Sequence, residues 1–124
     1  MKTVLVVDSD LGFVFWLGHG LDQTGYAAFP AKSVPTAKKL LGELKIGVDL
    51  LIVNSALPDA AGLVDVLRGI HQRLKVVVVA DDPAGLHRIP DVDLRFRKPD
   101  QIDESTREDL IAQIERVLPP FAAS

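Results

Sequence analysis

The chain has no cysteine, no long apolar run and no excess of basic residues, and each absence excludes a class of protein. Without cysteine it can form neither disulfides nor thiolate metal sites. Its apolar runs are far shorter than the roughly eighteen residues that a membrane span requires, and the N-terminus lacks the apolar stretch of a signal peptide. With 14 basic and 17 acidic residues, it lacks the clustered positive charge that nucleic acid or an anionic membrane would select. We therefore expect a soluble, cytoplasmic protein.

The composition that is present is ordinary for a globular domain. The 124 residues are 48% hydrophobic and 25% charged, which is enough to build a buried core. We find no repeat, no low-complexity tract and no Gly/Ser/Pro linker. The sequence therefore predicts a single domain over residues 1–124, with no effector domain in it.

Short apolar runs rich in Val and Ile predict buried strands. They lack polar alternation, which is typical of parallel strands covered on both faces. The runs are Val4 to Val7, Leu50 to Val53, Val76 to Val79 and, more weakly, Leu94 to Phe96, with Ala27 to Phe29 as an edge strand.

Stripes at helical spacing separate these strands and predict a doubly wound α/β sheet with right-handed crossovers. In such sheets, sites form where the strands end. The stripes are Ala37, Leu40, Leu41 and Leu44 behind Ser33 as N-cap; Leu63, Leu67, Ile70 and Leu74; and Leu110, Ile111, Ile114, Val117 and Leu118 behind a capping box at Ser105 and Glu108.

Four motifs together resemble response-regulator receiver domains of bacterial two-component signalling. Residues 4–8 resemble the first strand and acid pocket, and residues 49–62 resemble the third strand, acceptor site and following loop. Gly25-Tyr26 matches the turn into the second strand, and residues 97–99 resemble the lysine-proline that follows the fifth. The resemblance implies a flavodoxin-like doubly wound sheet of five parallel strands, in order 2-1-3-4-5, with helices on both faces.

Receiver chemistry needs a carboxylate nucleophile, paired acids holding Mg²⁺, a lysine and a Ser/Thr hydroxyl. The resemblance places Asp8 at the first acid, uncharged Ser9 at the second, Asn54 at the nucleophile, Ala80 at the hydroxyl and Lys98 at the lysine. An amide is neutral and a very poor nucleophile. We therefore expect a pseudo-receiver with no catalytic residue, one that is not an enzyme.

We expect the remaining polar groups of this pocket to pair with one another. Asp8 and Lys98 should pair directly, with Asn54 as a neutral hydrogen-bonding bridge. Asp8, even with help from Asp10, makes Mg²⁺ binding doubtful, so no metal or cofactor is expected. Asp10, Asp81 and Asp82 are interpreted as solvated loop acids.

The segment between Ala80 and Lys98 departs from the receiver pattern. It is about one helical turn shorter than in receivers, and it contains Pro83, Gly85 and Pro90, which oppose a continuous helix. We therefore predict a shortened or irregular fourth helix.

The first helix carries more apolar residues than one face can hold. Val14, Leu17 and Leu21 fit a core stripe, which leaves Phe15, Trp16 and His19 either covered by neighbouring helices or exposed as a surface for a partner or a homodimer.

The favoured function is a phosphorylation-independent protein-interaction module in a phosphorelay, with a histidine kinase or an effector as partner. One alternative is an active receiver in which an engineered change put Asn54 in place of aspartate. Another is a small flavodoxin-fold protein that binds a nucleotide or a flavin, although the chain has no Gly-rich phosphate loop.

Overall fold

The computed structural model describes residues 1–45 and 47–121. The last three residues of the predicted domain, 122–124, lie outside that part of the chain. The described residues form five strands, four α-helices and one 3₁₀ helix. The strands are β1 Thr3–Val7, β2 Ala27–Ala31, β3 Leu50–Asn54, β4 Lys75–Ala80 and β5 Leu94–Arg97; the helices are α1 Leu11–Thr24, α2 Val34–Leu44, α3 Ala60–Ile70, α4 Glu104–Val117 and the 3₁₀ segment Pro83–His87.

All strand pairs are parallel, and the sheet order is β2-β1-β3-β4-β5. The predicted flavodoxin-like fold class is confirmed. Within the residues that the structure describes, no helix is both long enough and apolar enough to cross a membrane.

Two apolar clusters cover the two faces of the sheet. Along β1, Val4 and Val6 belong to the cluster under α1 and α4, whereas Leu5 and Val7 belong to the cluster under α2 and α3. Because successive side chains of a strand point to opposite faces, a strand covered on both sides has no polar position. This explains the unbroken apolar runs.

The helix ends correct part of the sequence interpretation. Ser33 caps α2 as predicted, its hydroxyl accepting from the Thr36 amide. The cap of α4 was wrongly placed at Ser105, because Asp103 accepts from the Thr106 amide and the helix begins at Glu104. The tighter carboxylate cap lies two residues earlier than the hydroxyl motif suggested.

The predicted apolar stripes are longer than the buried faces. On α3, Leu63 and Leu67 are buried, and Leu74 is buried although it follows the end of the helix, but Ile70 is 74% exposed. Leu44, at the last turn of α2, is also exposed. Ile70 and Leu44 are the last residues of their helices, so helical spacing alone overestimated the core at these two ends.

The shortened fourth helix is confirmed. Between β4 and β5 the chain makes only the 3₁₀ segment Pro83–His87. Asp82 caps it by accepting from the Gly85 amide at 2.9 Å. A proline in the first turn and Pro90 just beyond leave no room for a longer helix in this segment.

Candidate functional site

The carboxyl ends of the central strands bring the pocket residues together. Asp8 directly follows β1, Asn54 ends β3, Ala80 ends β4, and Lys98 directly follows β5. Because parallel strands end at one edge of a sheet, side chains that are far apart in the sequence meet there. The pocket expected from the sequence is therefore assembled by the strand register.

A buried ion pair occupies the centre of this pocket. The Lys98 ammonium lies 2.9 Å from Asp8 Oδ2, and the two side chains are only 11% and 2% exposed. The other carboxylate oxygen of Asp8 accepts from the Asp10 amide at 3.0 Å. The predicted pairing of Asp8 with Lys98 is present, and it leaves neither carboxylate oxygen of Asp8 without a partner.

Asn54 bridges two carboxylates, as an amide can and a carboxylate cannot. Its Nδ2 donates to Asp8 Oδ2 at 3.1 Å and to Asp81 Oδ2 at 3.2 Å. Its Oδ1 accepts from the Ala56 amide at 2.9 Å. With an exposure of 3%, Asn54 has both donor hydrogens and its acceptor engaged.

Lys98 also contacts two further acids and an aromatic ring. Its Nζ lies 3.4 Å from Asp81 Oδ1, 3.5 Å from Asp10 Oδ2 and 4.9 Å from the centroid of Phe13. Burial alone would lower the pKa of Lys98, but the hydrogen bond to Asp8 and the charges of Asp8, Asp81 and Asp10 outweigh it and raise the pKa. The lysine is therefore the fixed cation of this pocket.

The interpretation of the loop acids as merely solvated was wrong: Asp82 caps the 3₁₀ segment, and Asp10 and Asp81 take part in the pocket. Asp10 caps α1 by accepting from the Phe13 amide, and it also approaches Lys98. Asp81 contacts both Asn54 and Lys98. Both carboxylates are more than half exposed, so nothing in the composition indicated that they contact the pocket. The position of Asp81 directly after β4 could have indicated its role. Ser9 is exposed.

Mg²⁺, which a receiver pocket implies, does not fit the residues that are present. The oxygen of Asp8 that would face a metal is held by Lys98 and Asn54, and Ser9 supplies no charge. Among residues 1–45 and 47–121, no group of three or more His, Cys, Asp or Glu side chains is arranged to hold a metal ion.

Ala80 and its surroundings contain a contact that the sequence did not reveal. Ser55, the residue after Asn54, donates from its hydroxyl to the Gly85 carbonyl oxygen at 2.7 Å, in a buried position. Ala80 itself is buried and offers only a methyl group. No spacing rule relates residues 55 and 85, because the contact depends on the path of the loop.

The aromatic residues of α1 divide between core and surface. Phe15 is 60% exposed and His19 is also exposed, whereas Trp16 is partly covered by the cluster under α1 and α4. Trp16 is therefore only partly available to the candidate partner surface that the sequence suggested. Phe15 and His19 instead lie beside a groove of about 420 Å³ between α1 and β2, whose walls include Val14, Gly18, Ala28 and Pro30.

The outer edge of β2 offers few backbone donors to an added strand. Ala27 donates to Lys2 and Asp8 donates to Ala31 across the β1–β2 ladder, so residues 28 and 30 face outward. The Ala28 amide is held by Asp22 Oδ1 at 3.1 Å, and Pro30 has no amide hydrogen. Within β2, no outward N–H is therefore free for another strand.

The sequence matches no family model and no curated protein, but solved structures share its fold. The chain is similar to the chemotaxis protein CheY4 of Vibrio cholerae, with a TM-score of 0.76 and 21% identity over 95% of this chain and 99% of that one. It is similar to the signal receiver domain of an HD domain-containing protein of Pseudomonas fluorescens Pf-5, with a TM-score of 0.74 and 21% identity over 94% of each chain. It is also similar to a response regulator of Thermotoga maritima, with a TM-score of 0.70 and 20% identity over 93% of this chain and 98% of that one. The fold is that of response-regulator receiver domains.

Proposed function

We propose that this chain is a receiver-like module of bacterial two-component signalling that binds protein partners without being phosphorylated at its acceptor position. The observation that carries the proposal is the pocket centre, where the Lys98 ammonium is bound to Asp8 and Asn54 joins Asp8 to Asp81. In a working receiver, the lysine and the acids serve an incoming phosphoryl group and its metal. Here the same groups satisfy one another. The cytoplasmic setting expected from the sequence is part of the proposal.

Three changes, each removing a different function, support this reading over a receiver with one engineered substitution. Asn54 removes the nucleophile, Ser9 removes one metal-binding charge, and Ala80 removes the hydroxyl that would bind the phosphoryl group. Restoring one of them should not restore the chemistry.

Mass spectrometry after treatment with a small acyl phosphate and Mg²⁺ tests the proposal. The unchanged protein should gain no phosphoryl mass. The informative comparison is Asn54→Asp, which restores the nucleophile alone and should gain little or none. Rapid phosphorylation of Asn54→Asp would favour the engineered-receiver alternative. An acid-labile adduct at Asp8 or Asp59 of the unchanged protein would contradict the proposal outright.

The groove between α1 and β2 is the surface that we propose for the partner. Phe15 is a large exposed apolar side chain at its rim, and such residues are typical of interface centres. Because β2 has no free outward N–H, we expect side chains to provide most of the binding. The Asp22 carboxylate at the groove and the net charge of −3 favour a protein segment that places an apolar side chain beside a Lys or Arg.

Affinity capture with the unchanged chain and with Phe15→Glu tests this surface. A partner retained by the first and lost by the second should carry such an apolar-basic segment. Leu44→Glu is the matched control, because Leu44 is also an exposed apolar residue but lies on α2. Equal loss of the captured partner with Phe15→Glu and with Leu44→Glu would reject the assigned surface. Self-association of the chain that Phe15→Glu abolishes would reject the assigned partner and identify a homodimer instead.

A further inference from the structure

We propose that Ser55 holds the 3₁₀ segment Pro83–His87 closed over the end of β4, so that the position of this segment is set by Ser55 and not by events at residue 54. The inference rests on the proposed function, because it accounts for a receiver fold in which the segment between β4 and β5 keeps one arrangement without phosphorylation. Three observations carry it: a buried hydrogen bond, a close backbone contact, and the anchoring of both ends of the segment.

The hydrogen bond joins the residue after β3 directly to the 3₁₀ segment. The Ser55 hydroxyl donates to the Gly85 carbonyl oxygen at 2.7 Å, and both residues are buried. The Ser55 amide donates to the Val79 carbonyl oxygen at 3.0 Å, which fixes Ser55 to the sheet. The hydroxyl therefore connects the middle of the segment to a rigid element.

The close contact explains why the segment can approach the sheet at this point. A methyl group placed on Gly85 would lie 3.1 Å from the Ala80 methyl carbon and 3.1 Å from the Ser55 hydroxyl oxygen. These distances are tighter than ordinary van der Waals contact. Small residues at both 80 and 85 are needed for the closed arrangement, and a larger side chain at position 80 would compete for the space that Gly85 occupies.

The two ends of the segment are held by other groups. At the start, Asp82 Oδ1 accepts from the Gly85 amide at 2.9 Å. Just beyond the end, Ile89 is buried in the core, and its carbonyl oxygen accepts from Arg95 at 3.3 Å. Ser55 is thus the group that bonds the middle of the segment to β3, and removal of its hydroxyl should release the middle alone.

Amide hydrogen exchange measured by NMR on the full chain tests this role of Ser55. In Ser55→Ala, the amides of residues 85–88 should exchange about tenfold faster or more, because the Gly85 carbonyl loses its short hydrogen bond to β3 and keeps only the 3.4 Å one from the Arg88 amide within the segment. The amides of α4 should change only by the global loss of stability. The matched control is Ser33→Ala, which removes the hydroxyl that caps α2 and should leave residues 85–88 unchanged relative to α4.

A uniform increase in amide exchange over the whole chain of Ser55→Ala would show that Ser55 is only a general stabilising residue and would overturn the proposal. The same local increase in exchange at residues 85–88 in Ser33→Ala would also overturn it. Unchanged exchange at residues 85–88 in Ser55→Ala would overturn it as well. If Ser55→Ala does not fold, Ser55→Gly replaces it. Glycine also removes the hydroxyl, so absence of any local increase with that variant is equally decisive. No phosphodonor is used, so this experiment can fail while the phosphorylation test succeeds, and the reverse.

Discussion

Replacing Lys98 with methionine should strongly destabilise the fold, because it leaves the buried Asp8 without its cation. Methionine keeps the length and the apolar stem near Phe13 but removes the charge. Asp8 would retain hydrogen bonds from the Asp10 amide and from Asn54. The destabilisation should therefore be smaller than for a buried carboxylate that has no partner. We expect the free energy of unfolding to decrease by about 2–4 kcal/mol, which lies between the cost of a lost buried hydrogen bond and that of a broken buried ion pair.

A double-mutant cycle with Asp8→Asn separates this pair from general effects on packing. The double variant has no buried charge to leave unpaired, so it should be more stable than the sum of the single changes predicts, by about 1–3 kcal/mol. Lys39→Met is the control, because Lys39 is 77% exposed and its Glu43 partner lies 4.0 Å away; it should change stability by about 0.5 kcal/mol or less.

Urea denaturation followed by circular dichroism provides the free energies, with the slope checked for constancy. The pKa of Lys98 is raised above its ordinary value of 10.5, so the folded state binds this proton more tightly than the unfolded state. The contribution of the protonated lysine is therefore fully present at neutral pH and is lost only as pH rises above that value. A cost for Lys98→Met no larger than that for Lys39→Met, or a coupling near zero, would refute the reasoning.

The remaining predictions concern one tyrosine, one amide, the metal and the 3₁₀ segment. Burial and the charge of Glu115 raise the pKa of Tyr26, the only tyrosine, to about 12. Tyrosinate absorbance should therefore titrate at about 12 in the folded protein and at about 10 in urea, and the free energy of unfolding should fall as pH rises between these values. A folded-state midpoint near 10 would contradict the burial of Tyr26. Asn54 should resist deamidation on storage, because the Ser55 amide that would attack its side chain donates to Val79; a gain in mass mapped to residue 54 would show that this ladder contact opens. Millimolar Mg²⁺ should hardly change the melting temperature, and a clear rise would show that metal displaces Lys98. In the unchanged protein, amides of residues 82–92 should exchange faster than those of α4, and strong protection over two turns would contradict the 3₁₀ assignment.

The sequence alone determined the layers of the fold and the functional groups that its pocket contains. Unbroken apolar runs predicted the three central strands, and the weaker segments Ala27 to Phe29 and Leu94 to Phe96 predicted the two edge strands, with boundaries that differ by no more than two residues at either end. The proline and glycine residues between Ala80 and Lys98 predicted the shortened helix. The identity of Asn54 predicts by itself that no acyl phosphate forms there. These features depend on local periodicity or on one functional group, and both can be read from neighbouring residues.

The tertiary structure decided which side chains meet. Asp81 joins the pocket and Ser55 binds Gly85 because the register of β3 and β4 and the path of one loop bring together residues about thirty positions apart. Phe15 is exposed and Trp16 partly covered although they are adjacent, since α4 packs over one side of α1 only. Distances of this kind depend on how the strands align and how each loop returns to the sheet, which is a property of the packed chain and not of any short segment.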